Sequence, residues 1–168
     1  MINKKFFGAS SVGAISQPPA ELQGRGGAVV LKRGPVLIKP IVSYFQPKDW
    51  QHQTREDEAK RFANNEKLAA WVSAEPSATP ARCTPLLMVD LNDGLGIRDG
   101  FEMFDDSVGD VDPRTEGPTG ALWHDMLVAH GMQATNTKWD IWSHLSGTKT
   151  KKPNRLPQRP HWPAHPQV

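Results

Sequence analysis

Residues 28–45 read AVVLKRGPVLIKPIVSYF. Two apolar runs, Ala28–Leu31 and Val36–Phe45, flank Lys32-Arg33-Gly34-Pro35, a tetrapeptide with the Gly-Pro chemistry of a turn. The spacing predicts a β-hairpin. Pro40 lacks a backbone donor, so the second run is expected as an edge or bulged strand. On the carboxyl side, Leu86–Leu91 (LLMVDL) has the length and composition of a short buried strand. Strands separated by helical patterns place the chain in the α+β class, with one small core.

The strongest helical pattern lies between those strands, over Arg55–Ser73. Thr54 is placed to cap it, with Asp57 three residues on as the return partner of a capping box. Glu56/Lys60 and Asp57/Arg61 stand four apart with the acid first, the order that supports a helix. Phe62, Leu68, Ala69 and Val72 share a broad face, and Trp71 points off it, as an anchor for a neighbour or a second core contact. Glu75–Pro85 holds three prolines and reads as a loop. A second helix is expected over Ala121–His130, with Leu122/Met126 and Trp123/Leu127 forming two apolar strips and Gly131 closing it. A third is expected over Lys138–Leu145 behind Thr137 as cap, making an aromatic cluster of Trp139 and Trp142.

Two arms flank this core. Residues 1–27 combine an acid-free start with a Pro- and Gly-rich stretch, Ser16–Gly27, that reads as linker. The start, MINKKFFGASSVGAIS, resembles an organellar transit peptide in composition. Residues 28–147 form the core unit, including an acidic loop at 90–118. In residues 148–168, Pro157, Pro160, Pro163 and Pro166 recur every third position, the repeat of a polyproline II helix. Such a segment from Pro153 onward would reach ~50 Å, against a radius of gyration of ~15 Å for a compact chain of this length.

Charge follows the same division. Residues 1–48 carry seven bases and one acid, residues 90–116 carry nine acids and two bases, and residues 138–168 carry six bases and one acid. Lys149, Lys151, Lys152, Arg155 and Arg159 crowd next to Trp162, a combination of cations and stacking group that suits single-stranded RNA or anionic lipid headgroups. The single cysteine, Cys83, excludes an intramolecular disulfide and a Cys-based zinc cage.

Catalytic readings are weaker. Leu86–Gly94 (LLMVDLNDG) resembles the nucleophile loop of the haloacid dehalogenase family, which implies phosphoryl transfer at Asp90 or Asp93. Aligned on Asp90, however, the chain has Asn92 in place of the second acid and Gly94 in place of the threonine. Aligned on Asp93, Leu91 stands in place of the nucleophile. The acids miss the calcium-loop spacing from either Asp90 or Asp106, and His124 and His130, six apart, fall on different helix faces. Neither a metal nor a cofactor is expected.

The sequence therefore points to a non-catalytic subunit of a large multiprotein assembly. It would bind neighbouring subunits through Trp71, Trp139, Trp142 and its arms, with a mitochondrial membrane complex as the first expectation. A nucleic-acid-associated virion or ribosomal role for the basic arm is the alternative.

Overall fold

A computed structural model describes residues 7–48 and 54–138. These form a four-stranded sheet of order β1-β2-β3-β4, a three-stranded sheet of order β6-β5-β7 and three α-helices, an α+β architecture. The strands of the larger sheet are β1 (Val12–Ser16), β2 (Gly26–Arg33), β3 (Val36–Tyr44) and β4 (Thr84–Asp90).

The predicted hairpin is β2–β3, antiparallel with Leu31 opposite Ile38 and Arg33 opposite Val36. Its second strand is not at the edge. β3 lies between β2 and β4, pairing antiparallel with one and parallel with the other. Pro40 is tolerated there because the register with β2 lapses at Lys39 and Pro40 and resumes at Ile41. The register with β4 runs on, with Pro40 opposite Leu86. The edge strand is β4, expected as fully buried. Its residues alternate between exposed and half-buried because only one of its faces is covered.

The stretch 16–27, read as linker, takes part in the fold. Val12–Ser16 is the other edge strand, paired with β2. Pro18 is buried, and the short 3-10 turn Ala20–Leu22 inserts Leu22 into the core. Gly26 opens β2 and does not belong to a flexible link. A Cβ there would lie 2.9 Å from the Trp71 ring and from the Val42 carbonyl, so glycine lets the indole approach the strand.

Helix α1 (Arg55–Ser77) begins with the predicted capping box. The Thr54 hydroxyl accepts from the Asp57 N–H at 3.2 Å, and the Asp57 carboxylate accepts from the Thr54 N–H at 3.1 Å. Arg61 turns inward, donates to the Gln46 carbonyl and lies 4.0 Å from Glu58 along the helix. The helix also runs past Ser73 into the predicted loop, through Pro76. Buried Glu75 anchors that last turn: its carboxylate pairs with Lys39 Nζ of β3 at 2.7 Å, and its carbonyl accepts from the same ammonium at 2.9 Å. It also accepts from the Ser16 hydroxyl of β1.

Helix α2 (Pro118–Ala129) closes with the expected glycine. Gly131 sits at φ 59° and its N–H bonds the Val128 carbonyl, while the Met132 N–H bonds the Leu127 carbonyl, the paired bonds of a Schellman cap. Helix α3 is Thr135–Lys138 among the described residues, so Thr137 lies within a helix; residues 139–145 of the expected third helix lie outside the described residues. The Thr137 hydroxyl accepts from the Gly109 N–H and donates to the Ala134 carbonyl.

Helices α1 and α2 cover one face of the larger sheet. Ile41 and Phe45 of the sheet side meet Leu68 and Val72 of α1 and Trp123 and Leu127 of α2. Phe45 and Trp123 pack edge to face at 5.6 Å, an arrangement that adds to their area burial. Asn65, a buried polar residue on the apolar side of α1, joins three elements. It exchanges hydrogen bonds with the Gln46 backbone after β3 and donates to Thr119 of α2 at 3.2 Å.

Candidate functional site

Two features of the described residues differ from an ordinary core and surface. One is a set of carboxylates in the acidic segment. The other is the uncovered face of the larger sheet.

The acidic segment folds around β5 (Gly96–Arg98), β6 (Phe101–Glu102) and β7 (Arg114–Thr115). Two of its acids, Asp93 and Glu116, turn inward, and a third, Asp105, stays 41% exposed while reaching a buried histidine. Asp93 accepts the backbone N–H groups of Gly94, Gly117 and Gly120, so it caps α2 from 24 residues upstream of the helix's own N-cap. The fit leaves no room for a side chain at Gly120, where a Cβ would collide with the Gly94 carbonyl. Glu116, with its side chain at 0% exposure, accepts from the Gly96 N–H at 3.0 Å and from Arg98 Nε at 2.8 Å. His124 of α2 lies between two carboxylates, with Nδ1 2.6 Å from Glu116 Oε1 and Nε2 3.2 Å from Asp105 Oδ2. Arg98 extends the cluster to Asp125 at 3.0 Å and to the Ala121 carbonyl.

The electrostatics of this cluster are those of occupied acceptors. Burial on its own would raise the carboxyls of Glu116 and Asp105. For Glu116, the Gly96 N–H, His124 and Arg98 outweigh burial and hold the group below its ordinary value. For Asp105, the N–H groups of Val108 and Ser107 and then His124 do the same. The result is a clamp that ties residues 93–116 onto α2, with its charges already paired.

The second feature follows from register. Helices cover the side of the sheet that carries Lys39, Ile41 and Ser43, so the alternate residues face the other way. On β3 these are Val36, Ile38, Pro40, Val42 and Tyr44. Opposite them on β4 stand Thr84, Leu86, Met88 and Asp90. Val42 is 47% exposed, Leu86 44% and Met88 52%, and Ile15 of β1 is 68% exposed. No charged residue interrupts this side of β3 and β4 before Asp90. Towards β2 the face is partly closed, because the 3-10 turn Ala9–Ser11 packs there and Leu31 is buried. With strands ~4.8 Å apart and ~3.3 Å per residue, the whole face of the four strands measures roughly 400–500 Å², within the ~300–600 Å² of the largest apolar patch on a typical monomer. A cleft between Glu21, Arg25, Tyr44, Gln46 and Asn64 encloses about 90 Å³, well under the ~300–1,000 Å³ of a metabolite site.

Of the residues singled out from sequence, Trp71 is half-buried, packed over Gly26 and against the core, and its buried Nε1 has no hydrogen-bond partner. Trp139, Trp142, Lys149, Lys151, Lys152, Arg155, Arg159, Pro157, Pro160, Trp162 and Pro163 lie outside the described residues. Asp90 and Asp93 are not brought together: Asp90 is exposed at the end of β4, while Asp93 turns inward to cap α2. His124 and His130 diverge as expected, the latter meeting Ser73 at 2.8 Å. Among the described residues no group of three or more His, Cys, Asp or Glu side chains is placed to hold a metal ion, and no helix is long and apolar enough to cross a membrane. Sequence reasoning missed the open face, although the alternation Val36, Ile38, Pro40, Val42, Tyr44 marks it once Lys39 and Ser43 are known to face the helices.

No protein-family model, no curated protein and no solved structure matches this chain.

Proposed function

We propose that this chain is a non-catalytic structural subunit of a multiprotein assembly and that it meets a neighbouring subunit through the open face of its four-stranded sheet. The observation that carries this reading is the contiguous apolar surface of Val42, Leu86 and Met88 on a sheet whose opposite side packs against α1 and α2. Surfaces of that size and composition mark protein contacts in soluble chains. The inward-facing carboxylates add support, because acids engaged with backbone N–H groups, Arg98 and His124 serve the fold and are not left for a substrate. The acid-free start of the chain makes mitochondrial membrane complexes the first assemblies to examine.

The test is native gel analysis of gently solubilised extract, comparing wild type with Val42→Glu and Met88→Glu. Both positions are about half exposed, so each variant should keep its thermal midpoint while leaving the high-mass band for the free-chain position. Wild type migrating as a free chain in fresh extract, or variants that remain in the large complex, would overturn the reading.

A further inference from the structure

Resting on that reading of the open face, we infer that its occupant is a second copy of this chain, stacked face to face about a two-fold axis lying across the strands. A two-fold contact requires a patch that is complementary to itself. This face meets the requirement through the placement of its charges. At the hairpin end, just before β4 begins, stands the exposed side chain of Arg82. At the far end Asp90 closes β4 opposite Tyr44, and the chain runs from there directly into the segment with nine acids in 27 residues. Between the ends the open side of β3 and β4 is uncharged, Val36 to Tyr44 on one strand and Thr84 to Met88 on the other.

Turning one copy over the other about an axis across the strands lays β4 on β4 in opposite directions. Each copy's Arg82 end then lies over its partner's Asp90 end, and the apolar rows meet between them. The alternative two-fold axis, along the strands, would place like ends together and set basic end against basic end. Charge thus selects one of two stackings that the apolar surface alone would leave equivalent. A basic residue also occurs at the acidic end, but Arg25 lies over the Tyr44 ring at 5.3 Å and is engaged within its own copy. Two faces stacked ~10 Å apart would cover at most roughly 400–500 Å² on each copy, below the ~800 Å² per partner of a standard interface. The dimer is therefore expected to form in the micromolar range and to depend on concentration.

The experiment is sedimentation equilibrium of the purified full-length chain over a concentration series through that range, with circular dichroism to check that each variant is folded. Wild type should move from the chain mass towards twice that mass. Val42→Glu and Met88→Glu should each weaken self-association at least tenfold, since a two-fold contact sets each introduced carboxylate twice against the partner's apolar rows. Met88→Gln, which keeps the shape and adds no charge, guards against a folding defect and should weaken it less. Arg82→Glu should weaken association about two- to five-fold, as for an exposed ion pair. Adding Asp90→Lys to that variant should restore it, a recovery that only opposed ends can give.

A wild-type chain that stays monomeric throughout would overturn the inference. If Val42→Glu still dissolved the native complex in that case, the open face would bind a different protein and the proposed function would stand. Monomeric wild type together with an undisturbed native complex would remove both. Dimerisation indifferent to Val42→Glu and Met88→Glu would place the self-contact elsewhere and likewise overturn the inference.

Discussion

The two faces of the four-stranded sheet share the same strands and nearly the same hydropathy, yet one carries a packed core and the other meets solvent. Ile41 of β3 and Phe45 just after it are fully buried, while Val42 between them is about half exposed. What separates them is not residue type but which side α1 and α2 occupy. The polar residues make the contrast sharper. Lys39 and Ser43, the most polar positions of β3, lie on the covered side, where Glu75 pairs with the lysine. The open side has no such residue and is the more uniformly apolar of the two. A conventional two-layer fold would reverse this, with polar residues outward and apolar residues inward.

Substitutions on either side test that contrast. The largest expected effect is on the covered side, where Phe45→Ala should cost about 3–5 kcal/mol in equilibrium unfolding, by removing an aromatic packed on Trp123. Lys39→Met should cost a similar amount, about 3–5 kcal/mol, because it strands Glu75 without its partner in the interior. Adding Glu75→Leu should recover most of that loss, and a double variant no better than the single would mean that the lysine acts through packing. Asp93→Ala, which uncaps α2, should cost about 1–2 kcal/mol. The smallest effect is expected on the open side, where Val42→Thr should change stability by no more than about 0.5 kcal/mol. A loss at Val42 comparable to that at Phe45 would show that the face is not open in solution.

The acidic clamp adds a pH dependence to the comparison. The carboxyls of Glu116 and Asp105 lie below their ordinary values of 4.5 and 3.8 when folded. A depressed value means that the folded state binds the proton less readily than the unfolded chain does. Their stabilisation is thus fully present above pH 4.5 and is lost as pH falls through the folded values. Thermal midpoints should decline on that acid limb, and Glu116→Gln should flatten the decline. An unchanged slope in that variant would show that other carboxylates carry the acid response.

How much of this was legible depended on the distance between partners along the chain. The Thr54–Asp57 box and the Gly131 cap are made between neighbours within one turn of a helix, so residue identity and spacing were enough to place them. The hairpin was legible for the same reason, its turn chemistry being local. The burial of Lys39 was not, since its partner Glu75 lies 36 residues away on a helix whose end depends on that same contact. The acids of 90–116 read as a solvated loop because their partners are backbone N–H groups, which have no signature in a sequence, and a histidine on a later helix. Pro40 argued for an edge strand, and the lapse in register beside it let a central strand carry it.

The β2–β3 hairpin, the cap that starts α1, the glycine that closes α2 and the division of charge into basic and acidic blocks were determined by the sequence itself, because each is set by residues close together along the chain. Which side of the sheet the helices cover, which acids turn inward and which apolar row is left facing out were decided only by the tertiary structure. The strand alternation defines two faces but does not say which one is covered. That choice is made by the packing of α1 and α2, with Phe45 against Trp123 and Lys39 against Glu75.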